Sequence, residues 1–94
     1  MPRNGPPLTK LFLSYLAIEK GLSQNTIANY ANDLARLTHF AYQAHKPIEQ
    51  LRAHELRQFI AQLNRERLSP ATIRRVASTI RGFYAFLPPA SSTT

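Results

Sequence analysis

The chain has 94 residues, no cysteine, and a formal charge of +7 from 12 Lys and Arg against 5 Asp and Glu. That length supports one domain with one core, and without cysteine there is neither a disulfide framework nor a thiolate metal site. No apolar run approaches the ~20 residues of a membrane span and the opening "MPRNGPP" has no signal-peptide core, so a soluble, cytoplasmic protein is expected, with nucleic acid or an acidic surface as the partner its charge would attract.

Met1 to Pro7 hold three prolines and a glycine, which predicts a loose, weakly basic arm. From Leu8 the pattern changes. Leu8, Leu11, Phe12, Tyr15, Leu16 and Ile18 recur at three and four, the spacing of an amphipathic helix. Gly21 stops it, with Lys20 near the negative end of the helix dipole.

Ser23 is a good N-cap for a second helix, since its hydroxyl can accept from an otherwise unpaired backbone N–H. Ile27, Tyr30, Ala31, Leu34, Leu37, Thr38 and Ala41 trace its inner stripe to about Ala44, and Pro47 forbids continuation. "PIEQLRAHE" predicts a turn or a short helical piece, with Ile48 and Leu51 spaced to touch the core. A third helix carries Leu56, Phe59, Ile60 and Leu63 inward and ends near Arg67. Its start is poorly marked, because Ala53 is a weak cap.

Ser69-Pro70 is the clearest start signal: a Ser cap with Pro at the first helical position, where no N–H is needed. Ile73, Val76, Ala77, Ile80, Phe83, Tyr84 and Leu87 form the fourth stripe, which Pro88-Pro89 closes. "ASSTT" follows as a flexible tail or the start of a linker. No segment alternates with period two. Four inward stripes with short connections predict an all-α, single-domain four-helix bundle over residues 8–87.

One hexamer occurs twice in near-identical form, "LSQNTI" at Leu22–Ile27 and "LSPATI" at Leu68–Ile73. Two capped helices in one bundle would share such a pattern for capping alone. The outer side of the first turns adds a reason of another kind. The first copy offers Gln24, Asn25, Thr26 and Asn29. The second, behind its Ser69 cap, offers Thr72, Arg74 and Arg75, beside Arg65 and Arg67. Helix-start N–H groups and hydroxyls hold phosphates. Asn and Gln pair with adenine edges, and Arg with guanine. Five arginines fall between Arg65 and Arg81, opposed only by Glu66.

"GLSQNTIANYANDLARL" resembles the signature of the N-terminal, core-binding domain of tyrosine recombinases and phage integrases, the Xer type in particular. Gly21, Leu22, Ser23, Asn25, Thr26, Tyr30, Asp33 and Leu34 stand in that pattern's places. "LSPATIRRVASTIRGFYAFL" is similar to the same domain's last helix, so the resemblance covers about Leu8 to Leu87. It implies a SAM-like bundle that closes on one face of double-stranded DNA at a recombination core site. Carried over by position, Asn25, Thr26 and Asn29 face DNA from the second helix, and Ala71, Thr72, Arg74 and Arg75 from the fourth. It also implies that the first helix meets a neighbouring protomer, and that the source is bacterial or phage.

The catalytic set of that family (an arginine, a lysine, a His-x-x-Arg element, a further His or Trp, and a tyrosine nucleophile) has no counterpart here. The expectation is a part of a recombinase, not a complete enzyme. Tyr15, Tyr30, Tyr42 and Tyr84 lack a phosphate-activating set around them, and Tyr30 is expected in the core with its hydroxyl at the rim. His39, His45 and His54 have no ligand spacing, and the scattered carboxylates form no acid–base pair. No metal, cofactor or small-molecule substrate is expected. Asp33 should pair with a cation or face solvent, while Arg36, Arg52 and Arg57 should be solvated surface. Two rival readings remain: a protein-interaction bundle with an exposed apolar face, and a helix-turn-helix repressor built on the short "RLSP" joint.

Overall fold

A computed structural model describes residues 7–87, so the expected arm and tail lie almost wholly outside the described residues. Four helices form, α1 (Leu8–Ile18), α2 (Gln24–Gln43), α3 (Ala53–Arg65) and α4 (Pro70–Phe86), with one 3₁₀ turn at Ile48–Gln50. Among the described residues there is no strand, so the fold is the expected helical bundle. None of these helices is long and apolar enough to cross a membrane.

The core has two parts. Phe12 and Leu16 of α1 pack with Leu34 and Phe83. Phe12 sits edge-on to Phe83 with ring centroids 5.6 Å apart, a favoured aromatic geometry. Leu37, Ala41, Leu51, Phe59, Leu63, Val76 and Ile80 fill the second part. The Tyr84 hydroxyl joins the two by donating to the Ile48 carbonyl. Burial, with Glu49 and Glu55 nearby, pushes that hydroxyl's pKa up, so it stays a donor.

The predicted stripes are buried along their centres and exposed at their margins. Leu11 is 42% exposed and Ile18 77%, because α1 packs on α2 and α4 through Phe12 and Leu16 and leaves its far side open. Thr38 is likewise exposed. Three polar residues are buried instead, Asp33, Glu55 and Thr79.

The helix ends differ from expectation in two places. Arg52, not Ala53, precedes α3, and the Glu55 carboxylate accepts from its backbone N–H at 2.8 Å. This is one half of a capping box, since a guanidinium has no acceptor with which to supply the other. Lys46 holds the same carboxylate at 2.7 Å. Its hydrogen bond, with that of Arg52 N–H, lowers the Glu55 pKa. α3 also stops at Arg65, two residues early. Arg67 is left-handed at φ 66°, its N–H bonds to the Asn64 carbonyl (3.0 Å), and Leu68 N–H bonds to the Leu63 carbonyl (3.4 Å). That Schellman closure ends α2 too, with His45 at φ 59°.

Candidate nucleic-acid interface

Both copies of the hexamer are helix starts, and their geometry is the same. Ser23 Oγ accepts from Thr26 N–H at 3.2 Å, and Ser69 Oγ from Thr72 N–H at 3.1 Å. In each copy the Ser and Thr hydroxyls lie 3.0 Å apart. Leu22 and Ile27 pack against the first core cluster, Leu68 and Ile73 against the second. An apolar residue before the cap and another at the fourth helical position form a hydrophobic staple, which fixes the angle at which the chain enters the helix.

The backbone repeat is longer than the sequence repeat. A left-handed residue precedes each Leu, Gly21 at φ 64° and Arg67 at φ 66°. Glycine takes that conformation without strain; arginine pays roughly 1 kcal/mol for it. Capping therefore accounts for the Leu, Ser, Thr and Ile identities. It does not account for what the first turns expose.

Gln24, Asn25, Asn29, Arg65, Arg67, Ser69, Ala71 and Arg74 are all exposed, while Thr26, Thr72 and Arg75 are half-buried. Each Ser–Thr pair holds two hydroxyl protons and uses one between its members, so one remains to donate outward beside the free N–H groups of the helix start.

Along α2, helical spacing puts Asn25, Asn29, Asn32 and Arg36 on one exposed face. Arg36 reaches 3.7 Å from Glu66, in the link between α3 and α4. Glu66 thus turns to Arg36 and accepts from Gln62 (3.2 Å), while its neighbours Arg65 and Arg67 have no carboxylate within 4 Å among the described residues, nor has Arg74. The α2 stripe in this way leads from one helix start to the arginines at the other. Asn32 was not singled out from the sequence, and Arg36 was expected to be merely solvated. Their polar spacing with Asn25 and Asn29 was the available signal.

Arg75 differs from Arg74. Its Nε and Nη2 donate to Asp33 Oδ2 (3.1 Å) and Oδ1 (2.6 Å), and Thr79 Oγ1 donates to Asp33 Oδ2 at 2.9 Å. The Asp33 side chain is fully buried and that of Arg75 is 39% exposed. Asp33 holds the guanidinium charged, raising its pKa. Asp33 therefore pairs with a cation and does not face solvent. Among the described residues no group of three or more His, Cys, Asp or Glu side chains is placed to hold a metal.

On another side, an apolar groove of about 490 Å³ runs between α3 and α4, lined by Leu56, Ile60, Ala77 and Ile80 with Arg57 and Arg81 at its edges.

Two capped helix starts that expose amides, hydroxyls and arginines stand on a small, basic, four-helix domain. The chain belongs to the family described as phage integrase, N-terminal SAM-like domain, which matches residues 9–89. It is 37% identical to a tyrosine recombinase XerC of Treponema denticola over 84% of this chain and 27% of that protein. It is 36% identical to a tyrosine recombinase XerD of Chlorobaculum tepidum over 93% of this chain and 30% of that protein. A XerC of Xanthomonas campestris is 38% identical over 81% of this chain and 24% of its own length. The chain thus spans less than a third of these curated relatives. No solved structure matches it significantly.

Proposed function

We propose that the chain is the DNA-gripping, core-binding part of a site-specific tyrosine recombinase and does no chemistry by itself. It contacts the major groove and flanking phosphates of a recombination half-site through the first turns of α2 and α4, in the bacterial cytoplasm. The observation that carries this reading is the exposed row Asn25, Asn29, Asn32 and Arg36, which reaches the α3–α4 link, and its uncompensated Arg65 and Arg67, through the Arg36–Glu66 contact. Amides on such a row suit base edges, and the arginines suit phosphates and guanine. Membership of the integrase family supports it independently.

The test is binding of a short duplex across a salt series. If about four phosphates are neutralised, log K falls against log salt with a slope near −3.6. Arg65→Gln, Arg67→Gln and Arg74→Gln should each reduce the slope by about 0.9. Affinity that is flat in salt contradicts the reading.

The groove between α3 and α4 favours a second reading, a protein-interaction bundle. That reading predicts partner binding that survives the three arginine changes and is lost when Ile60 is replaced by Asp.

A further inference from the structure

We infer that Asp33 and Thr79 are positioning residues for DNA binding, which clamp Arg75 at the α2–α4 crossing so that the outer edge of its guanidinium meets a backbone phosphate. The inference rests on the DNA reading above and goes beyond it, because neither residue is exposed to any ligand: both are 1% exposed.

A guanidinium has five N–H donors in a fixed plane. Asp33 takes the side edge, Nε and Nη2. The remaining donors, on Nη1 and the far side of Nη2, form a second fork that points away from the carboxylate. Because Asp33 is buried and also bound by Thr79, the carboxylate cannot turn, and the guanidinium plane is fixed with it. A free arginine loses rotamer entropy when it binds a phosphate, whereas a clamped one has lost it on folding. The clamp also shortens its reach. An arginine drawn back against α2 in the second turn of α4 meets the phosphate ridge, not the floor of the groove. Arg74, one residue earlier and exposed, has no such constraint.

A merely structural role and a positioning role predict opposite signs. Asp33→Asn removes a negative charge, and on net charge alone it should tighten DNA binding. Positioning predicts that it weakens binding. The experiment measures the affinity of the folded protein for short duplexes of several sequences at one salt concentration, with folding verified by circular dichroism at the assay temperature. Asp33→Asn is expected to lose roughly two- to tenfold, the cost of ordering one long side chain at the interface, and to lose it equally on every sequence. Thr79→Val, which removes only the hydroxyl, should lose less in the same direction, and it serves alone if Asp33→Asn does not fold. Unchanged or tighter binding by folded Asp33→Asn, or by Thr79→Val where only that variant folds, overturns the inference. A loss confined to duplexes with guanine at one position overturns the phosphate assignment. If the glutamine variants at Arg65, Arg67 and Arg74 weaken binding while the Asp33 and Thr79 variants do not, the DNA reading stands and only the clamp falls. If the unaltered protein does not bind duplex at all, both fall.

Discussion

Arg74 and Arg75 are adjacent, identical in type and at the start of the same helix, yet their replacement by methionine should have very different consequences for stability. Arg74 is exposed and has no carboxylate within 4 Å among the described residues. A surface change of that kind falls within about 0.5 kcal/mol. Arg75→Met leaves the Asp33 carboxylate, which is 0% exposed in the unaltered protein, with Thr79 as its remaining hydrogen-bond partner. Breaking a buried pair from one side costs about 3–5 kcal/mol. Because the Arg75 side chain is itself 39% exposed, water can reach the gap, and the lower figure applies. A domain of this size is stable by about 5–14 kcal/mol, at roughly 0.05–0.15 kcal/mol per residue. A loss of about 3 kcal/mol lowers Tm by roughly 12–24 °C. Urea unfolding at pH 7, followed by circular dichroism, measures both variants. The double variant Asp33→Asn with Arg75→Met should recover part of the loss, since the unpaired charge is gone. A cost below about 1 kcal/mol for Arg75→Met, or one equal to that of Arg74→Met, would refute the reasoning. The practical consequence is that loss of DNA binding in an Arg75→Ala protein proves nothing until its folding has been checked.

Ser23→Ala and Ser69→Ala should each cost about 1 kcal/mol in urea unfolding, and the pair should add, since the two caps share no partner. Arg67→Gly and His45→Gly should each stabilise by about 1 kcal/mol through relief of the left-handed backbone, but only Arg67→Gly should also weaken DNA binding and flatten its salt slope by about 0.9. The folded-state pKa of Glu55 is lowered, chiefly by Lys46. Its stabilising contribution is therefore complete above the unfolded value and lost as pH falls through the folded one. Glu55→Gln should be less stable than the parent at pH 7, and the difference should close under acid, which thermal melts from pH 7 to pH 3 would register.

The helices were legible in the sequence because period, cap and breaker agreed. Ser69-Pro70 marked the start of α4 and Ser23 that of α2, and Phe12, Leu34, Leu37, Phe59, Leu63, Val76 and Phe83 lay on the stripes that the fold buries. The end of α3 was misplaced because arginine does not advertise a left-handed residue as glycine does at Gly21. The start of α3 was obscure because its cap comes from Glu55, three residues inside the helix. Asp33 and Thr79 were missed as core residues for a different reason. Polar side chains are buried when a partner satisfies them, and these partners meet across two helices, with Asp33 of α2 accepting from Arg75 and Thr79 of α4. No local pattern contains that pairing. For the candidate interface, Asn25, Asn29 and Arg74 could be picked by residue type and position, but the continuity through Asn32, Arg36 and Glu66 exists only once α2 lies against the α3–α4 link.

The most direct test of the DNA-binding reading is an amide-shift titration of the isotope-labelled chain with a short duplex at two salt concentrations. The predicted result is a set of shifts gathered on residues 24–36 and 65–75 that shrinks as salt rises. Shifts that are absent, scattered, or gathered on Leu56, Ile60, Ala77 and Ile80 would contradict it. The twice-written hexamer would then be a helix cap and nothing more.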